Sequence, residues 1–255
     1  MTSTPALAGQ VAIVTGASRG LGRSIALALA AAGAAVAVAA RSKADLEETA
    51  GLVQHLGGRA LAIPTDVTSY TEVERLIDAT RSTFGRLDVL VNNSGIAKVQ
   101  PLVDWRPEDW RTVLDVNLIG VFNGCRAAGP HFIAQSAGKV INISSMLAAV
   151  GLPGYTIYSA TKGAIIAFTR TLGVEWARHN VQVNAIAPGW FATDMSAPAF
   201  GPENPKLADR LLRDIPAHRT GRPEEIGPLA VYLASSASDF MTGQTIFLDG
   251  GHTAA

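Results

Sequence analysis

The sequence predicts an α/β protein in which a doubly wound parallel sheet of about seven strands lies between two layers of helices. Three observations lead to this prediction. Seven short apolar runs without alternation are typical of strands that are buried on both faces. Longer segments with helical periodicity separate these runs, as in a parallel sheet. The 255-residue chain, 48% hydrophobic, is long enough to bury such a core within one domain.

The predicted elements alternate along the chain. The strands lie at residues 10–15, 34–40, 59–64, 87–93, 139–144, 181–187 and 244–249, and the helices lie at 20–32, 43–56, 70–84, 107–136, 157–178 and 223–235. Because ligands of open α/β sheets bind beyond the carboxyl ends of the strands, functional residues are expected in the loops that follow the strands.

One segment, residues 190–222, interrupts this alternation. It carries four prolines among scattered apolar residues. Since a long irregular insertion in a compact domain is usually functional, we expect a substrate lid within a single domain spanning 1–255. A surface loop without function is the alternative.

Composition excludes several classes of protein. Lys and Arg together number 21, as do Asp and Glu, so bulk charge attracts neither nucleic acid nor an anionic membrane. The single cysteine, Cys125, fits a reducing compartment and is expected to be a buried structural thiol. The N-terminal sequence MTSTPALAGQ lacks the features of a signal peptide, and the apolar runs are too short to span a bilayer, so we expect a soluble cytoplasmic protein. Five histidines show no metal-ligand spacing, and no metal is expected: His55, His131, His179, His218 and His252.

The first candidate site is the glycine-rich sequence TGASRGLG at residues 15–22, between the first strand and the first helix. Glycines at positions 16, 20 and 22 let the backbone turn tightly and approach a phosphate, and the following helix presents free N–H groups. The spacing GxxxGxG differs from the fingerprint GxGxxG but follows the same logic. This turn therefore predicts dinucleotide binding.

The end of the second strand indicates which dinucleotide binds. It reads AARS at residues 39–42, and no carboxylate occurs before Asp45 to hold a ribose 2′-hydroxyl. Arg41 and Arg19 are expected to converge on a 2′-phosphate instead, since guanidinium matches phosphate geometry. We therefore expect NADPH rather than NADH. Alternatively, Arg41 is an ordinary surface arginine and either cofactor is accepted.

The second candidate site is YSATK at residues 158–162. Tyr158 and Lys162 stand four residues apart and share one face of a helix. The ammonium is expected to lower the pKa of the phenol from about 10, which would make the tyrosine an acid near neutral pH. The pattern alone also fits a solvated helix face.

Seven motifs together resemble the short-chain dehydrogenase/reductase family, in matching order and spacing over essentially the whole chain. They are TGASRGLG (15–22), NNSG (92–95), DVN (115–117), ISS (143–145), YSATK (158–162), NAIAPG (184–189) and LDGG (248–251). The resemblance implies a Rossmann-like fold, hydride transfer between NADP and a ketone/alcohol pair, and a homotetramer formed through the helices around 117–136 and 157–178.

The resemblance also implies catalytic roles. Ser145, thirteen residues before Tyr158, would hydrogen-bond the substrate oxygen, with Ser144 as the alternative. Tyr158 would exchange the proton, while Lys162 would favour phenolate and bind the nicotinamide ribose. Asn117 would hold a water that relays protons between Lys162 and solvent. Alternatively, Asn117 would only form a local hydrogen bond within a helix.

Further contacts follow from the same resemblance. Asp66 and Val67 would border the adenine, while Asn92, Ser94 and Gly95 would line the path of the adenosine ribose. Together with the glycine-rich turn and the two arginines, the expected cofactor residues are Gly16, Ser18, Arg19, Gly20, Leu21, Gly22, Arg41, Asp66, Val67, Asn92, Ser94, Gly95, Tyr158, Lys162, Pro188, Gly189, Phe191 and Thr193. The expected apolar wall of the substrate pocket, which suits an uncharged ketone, comprises Leu147, Tyr155, Trp190, Met195 and Phe200, with Trp105 as a further candidate.

Three functions compete at this point. The first is an NADPH-dependent carbonyl reductase acting on a sugar acid or a broad range of ketones. The second is 3-oxoacyl-(carrier protein) reduction, which needs a basic docking surface, yet residues 124–139 hold only Arg126 and Lys139 as permanent cations. The third is a nucleotide-binding protein without turnover, which usually lacks a catalytic residue, whereas all four are present here.

Overall fold

A seven-stranded parallel sheet forms the centre of the computed structural model, which describes residues 5–255. Every predicted strand is present, with its ends within two residues of the prediction. The strands are β1 (Val11–Thr15), β2 (Ala35–Ala40), β3 (Ala60–Pro64), β4 (Val89–Asn92), β5 (Gly138–Ile143), β6 (Val181–Pro188) and β7 (Thr245–Leu248).

The strand order is β3-β2-β1-β4-β5-β6-β7, and all neighbours are parallel. Val14 of β1 pairs with Val38 on one side and with Val91 on the other. The order reverses between β1 and β4, which opens a crevice at their carboxyl ends. The predicted fold class is therefore confirmed, and the crevice lies where ligands of such sheets bind.

Helices cover both faces of the sheet. They are α1 (Gly20–Ala31), α2 (Lys43–His55), α3 (Tyr70–Phe84), α4 (Pro107–Leu114), α5 (Gly120–Gln135), α6 (Thr156–Ala177), α7 (Ala197–Phe200), α8 (Pro205–Asp214) and α9 (Gly227–Ala234). No helix within residues 5–255 combines the length and apolar character needed to cross a bilayer.

Two hydrophobic cores separate the three layers. Along β1, Ala12 and Val14 face the core beneath α1, α2 and α9, whereas Ile13 faces the core beneath α3, α5 and α6. Successive side chains of a strand point to opposite faces, so each strand contributes to both cores. This burial on two sides explains why the strand sequences show no alternation.

The predicted helix over 107–136 is divided in the structure. A π-helical turn, Asp115–Ile119, separates α4 from α5. Within this turn Asn117 is fully buried, accepts from Ile96 N at 2.8 Å and donates to Ile96 O at 2.9 Å. The turn therefore aims one polar side chain at the loop after β4, as π-turns often do at functional sites.

The prediction of an irregular segment over 190–222 is wrong in one respect, because the segment contains α7 and α8. Its prolines Pro198 and Pro205 lie in the first turns of these helices, where a missing N–H costs nothing. The ends of the segment are joined, since Gly221 N donates to Trp190 O at 2.8 Å and Ala192 N donates to Gly221 O at 2.9 Å.

Candidate active site

A cleft of about 810 Å³ opens at the carboxyl ends of the strands. The glycine-rich turn after β1 forms one wall, and the chain after β6 forms another. Of the cofactor residues expected from the sequence, all but Asn92 line this cleft. Ser145, Leu147, Tyr155, Trp190 and Met195 line it as well.

Glycine is required in the turn at residues 15–22. Gly16 has φ +64° and Gly20 has φ +55°, a backbone region that strains other residues. A Cβ on Gly22 would collide with the carbonyl oxygen of Gly16 and with Asn93 Nδ2. The turn therefore leaves a bare backbone cradle before the N-terminus of α1, and such a cradle fits a phosphate.

An ion-pair network beneath this turn was not anticipated from the sequence. Arg23 on α1 donates to Ser18 O at 2.6 Å and to both carboxylate oxygens of Glu48 at 2.9 and 3.0 Å. The buried Thr49 donates to Ala17 O at 3.0 Å. These bonds fix the carbonyl groups of the turn to α1 and α2. Only the packing of α1 against α2 brings these residues together, so no sequence motif could have revealed them.

The two arginines expected at the 2′-phosphate have different partners. Arg41 is exposed at the end of β2 and lines the cleft beside Ser42, which caps α2 by accepting from Asp45 N at 3.5 Å. Arg19 instead donates to Asp194 Oδ2 at 3.1 Å, beyond β6. The expected convergence of the two arginines is therefore not what this structure shows. The Arg19–Asp194 pair is exposed, and such pairs are weak enough to exchange partners.

Asn92 does not line the cleft. Its side chain donates to Asn142 Oδ1 at 2.9 Å and to Cys125 Sγ at 3.4 Å, so it supports the centre of the sheet. The next residue, Asn93, lines the cleft and donates to Thr15 O and Gly16 O at 2.9 and 3.1 Å. Successive side chains of a strand point to opposite faces, which explains why Asn93 rather than Asn92 lines the cleft. The same alternation could have identified Asn93 from the sequence.

The nucleotide end of the cleft also holds the residues after β3. Asp66 accepts from the backbone and the hydroxyl of Thr68 at 2.9 and 2.8 Å, and Val67 is buried beside it. Cys125 is buried as expected, and burial raises the pKa of its thiol to about 12. This thiol is therefore unsuited to act as a nucleophile.

Three reactive side chains meet where β5 and α6 approach each other. Ser145 follows β5 and accepts from Leu147 N at 3.2 Å, while Tyr158 and Lys162 lie one turn apart on α6. Ser144 also borders the cleft, but its hydroxyl donates to Lys162 O at 2.8 Å, which fastens α6 to β5. Of the two adjacent serines, Ser145 therefore has its hydroxyl in the reactive group.

The electrostatics of this group differ from the expectation. Lys162 Nζ donates to Ile143 O at 2.8 Å, and burial lowers the pKa of this ammonium to about 8. The pKa of Tyr158 is raised to about 12, chiefly by burial, although its hydrogen bond with Ser145 acts in the opposite direction. The predicted lowering of the tyrosine pKa is therefore wrong for this structure, because desolvation of the phenolate outweighs the opposing effect of the Ser145 hydroxyl. The Tyr158 side chain is partly buried and borders the cleft.

Asn117 lies behind these side chains. Besides its two bonds to Ile96, it donates to Thr161 Oγ1 at 3.2 Å, and Thr161 in turn donates to Tyr158 O at 2.7 Å. Asn117 thus connects the loop after β4 to the turn of α6 that carries the tyrosine.

The substrate wall is a row of aromatic rings. Tyr155 lies edge-on to Tyr158 at 6.2 Å and to Trp190 at 6.3 Å between ring centroids. Phe200 stacks edge-on behind Trp190 at 5.5 Å and does not line the cleft, which corrects one expectation. Trp105 is also outside the cleft, because it is buried with its Nε1 donating to Gln100 O at 3.0 Å.

Comparison with known proteins identifies the family. A family model described as enoyl-(acyl carrier protein) reductase matches residues 16–253. The chain belongs to the short-chain dehydrogenase/reductase family. It is 43% identical over 248 residues to a 3-oxoacyl-[acyl-carrier-protein] reductase of Synechocystis, covering 96% of this chain and 98% of that protein. It is 39% identical to 3beta-hydroxysteroid dehydrogenase 1 of Eggerthella lenta, covering 97% and 95%.

One solved structure superimposes closely on this chain. It is a gluconate 5-dehydrogenase from Burkholderia cenocepacia in complex with NADP and tartrate, with a TM-score of 0.94, 38% identity and coverage of 99% and 98%. Enzymes of the short-chain dehydrogenase/reductase family are oxidoreductases that use a nicotinamide cofactor. The glycine cradle and the long cleft of this chain fit such a dinucleotide.

Proposed function

We propose that the protein is an NADPH-dependent carbonyl reductase that interconverts a ketone and a secondary alcohol. The observation that carries this proposal is the group formed by Ser145, Tyr158 and Lys162 in the same cleft as the glycine cradle. A hydroxyl that binds an oxyanion and a phenol that carries a proton are what carbonyl reduction requires of the protein.

The side chains divide the work as follows. A bound nicotinamide dinucleotide supplies the hydride. Ser145 donates a hydrogen bond to the carbonyl oxygen, and Tyr158 transfers its proton to that oxygen as negative charge develops. With pKa values of about 12 and about 8, the phenol and the ammonium of Lys162 are both protonated near neutral pH, which suits reduction. We also propose that Asn117 holds a water that reprotonates this pair from solvent.

Preference for NADP is supported by Arg41. It is exposed at the end of β2, and Ser42, the N-cap of α2, follows it immediately. A 2′-phosphate there would meet a guanidinium and a helix N-terminus together. The NADP complex of the gluconate 5-dehydrogenase is consistent with this choice.

The proposed unit is the whole chain, with residues 190–222 as the substrate lid. The segment carries Trp190 and Met195 on the cleft, and its joined ends would let it move as one body. We further propose a homotetramer formed through α5 and α6. Phe122 on α5 and Val174 on α6 are exposed apolar side chains, and sedimentation equilibrium tests the assembly.

A second candidate is 3-oxoacyl-(carrier protein) reduction, which the name of the Synechocystis relative favours. The cations at 124–139 offer it little support. Lys139 is buried and bonds Asp239 Oδ1 at 2.6 Å, and Arg126 stacks over the ring of Tyr70 at 4.5 Å. Neither projects freely toward an acidic carrier.

The test is a panel of ketones and alcohols assayed with NADPH and NADH, using the wild type, Tyr158→Phe and Tyr232→Phe. The first substitution should lower kcat by about 10²–10⁴-fold, the usual contribution of a general acid, while NADPH affinity by fluorescence titration changes little. Tyr232→Phe, on the remote α9, is the matched control.

Retained turnover in Tyr158→Phe would remove the tyrosine from the proposed chemistry. Faster reduction of a carrier-bound 3-oxoacyl chain than of any free ketone would favour the second candidate. Failure of the wild type to oxidise either cofactor with any substrate would refute both candidates.

A further inference from the structure

A second cavity, of about 100 Å³, adjoins the catalytic cleft. Met146, Leu147 and Trp190 line both cavities, and Ser145 directly precedes the first two. On its remaining sides the smaller cavity is bounded by residues 150–153, by α8 with Arg210 and Asp214, and by His252 near the C-terminus. We call it the tail chamber.

Two polar atoms of the residues that line the tail chamber have no partner. Trp190 Nε1 and His252 Nδ1 are both buried, and neither forms a hydrogen bond with any described part of the chain. A buried polar group left without a partner costs about 1–3 kcal/mol, and most such groups in proteins are satisfied. Because both residues line the tail chamber, we take the two atoms as partners for a polar group that enters it.

The chemistry of the lining selects a hydroxyl. An indole N–H can only donate, whereas an imidazole nitrogen can accept or donate according to its tautomer. One hydroxyl can accept from Trp190 and donate to His252. The lining does not favour a carboxylate, because the positive charge of Arg210 is offset by Asp214 on the same helix. Arg210 Nε lies 4.0 Å from Asp214 Oδ2. A methyl group would leave both nitrogens unsatisfied.

We propose that the tail chamber binds the hydroxyl-bearing end of the ketone substrate, with Trp190 Nε1 as donor and His252 Nδ1 as second partner. This inference rests on the proposed carbonyl reduction. Met146 and Leu147 follow Ser145 in sequence and line both the cleft and the tail chamber, so they offer the chain of a ketone held at Ser145 a route to the chamber. The preferred substrates are therefore hydroxyketones rather than plain or acidic ketones.

The test compares methyl ketones of equal chain length that end in a hydroxyl, a methyl or a carboxylate. The readout is the ratio of kcat/KM for the hydroxyl ketone to that for the methyl ketone, which cancels any general effect of a substitution. Trp190→Phe and His252→Leu should each lower this ratio by about five- to tenfold, the effect of one neutral hydrogen bond. Trp105→Phe removes an indole donor outside both cavities and should leave the ratio unchanged.

A ratio that is the same in the wild type and in both chamber variants would overturn the proposal while leaving carbonyl reduction intact, as would a preference for the carboxylate ketone. If the wild type reduces none of the ketones, the proposed function fails. The chamber is then judged by calorimetry of the three ketones with the wild type and Trp190→Phe. Tighter binding of the hydroxyl ketone that Trp190→Phe abolishes would support the chamber, and equal binding would reject it.

Discussion

Lys162 should make the free energy of unfolding of the wild type depend on pH, and replacing Lys162 with Met should remove that dependence. The wild-type ammonium is buried, and its pKa falls from the usual 10.5 to about 8. Since one pKa unit corresponds to about 1.4 kcal/mol, holding this group charged near pH 7 costs the folded state roughly 3 kcal/mol. Methionine has a similar length and carries no charge, so the variant avoids this cost.

The sign follows from proton binding. Between pH 8 and 10.5 the unfolded chain keeps the lysine proton while the folded chain has released it, so the stability contributed by Lys162 rises with pH. From near pH 7 to about pH 9.5 the wild type should gain about 2 kcal/mol relative to Lys162→Met. Loss of the hydrogen bond to Ile143 O shifts the variant by a constant amount at every pH, so only the change with pH is diagnostic.

The assay is urea unfolding of both proteins at the two pH values and at one fixed protein concentration. Lys43→Met is the matched control, because the Lys43 side chain is 74% exposed and its removal should give no pH-dependent difference. Parallel pH dependences of the wild type and Lys162→Met would refute the argument. A difference of opposite sign would mean that the folded protein stabilises the ammonium.

Two further predictions concern the cofactor. Gly22→Ala should weaken NADPH binding at least about tenfold by fluorescence titration, because the added Cβ collides with the turn. Gly51→Ala within α2 is the control, because its Cβ meets no atom. This control should raise the free energy of unfolding by about 0.5–1 kcal/mol and leave the affinity for NADPH unchanged. Equal affinities in the two variants would contradict the cradle. Arg41→Asp should weaken NADPH by about 10- to 100-fold and NADH far less, as expected for a charge-assisted bond. Equal losses for both cofactors would count against a 2′-phosphate site.

Local sequence was sufficient for the strands and insufficient for one helix. The strands were predictable because burial on both faces leaves unbroken apolar runs such as VAIVT at 11–15. The π-turn at Asp115–Ile119 was not predictable, because its stabilising partner, Ile96, lies 21 residues earlier in the chain. Helical periodicity continues through 107–136, and only the tertiary contact determines where it is interrupted.

The candidate site was predictable in position but not in energetics. Spacing of four residues placed Tyr158 and Lys162 on one helix face, and the structure agrees. The spacing could not reveal that Ile143 O would accept the ammonium proton, since that carbonyl belongs to β5. The direction of the tyrosine pKa shift likewise depends on whether the desolvation of the phenolate outweighs the effect of nearby charges. Desolvation follows from the packing of several elements, which the spacing of two residues does not show.

The same buried lysine connects stability to function. The pKa of this ammonium, about 8, lies nearer to neutral pH than the usual 10.5, so a modest change in its surroundings alters its protonation. Any additional hydrogen-bond acceptor in the cleft, such as a ribose hydroxyl, would stabilise the charged form and raise that pKa. Cofactor binding should therefore offset part of the cost that Lys162 imposes on the folded chain. It follows that NADPH at a given concentration should stabilise the wild type more than Lys162→Met, because relief of that cost appears as tighter binding of the cofactor.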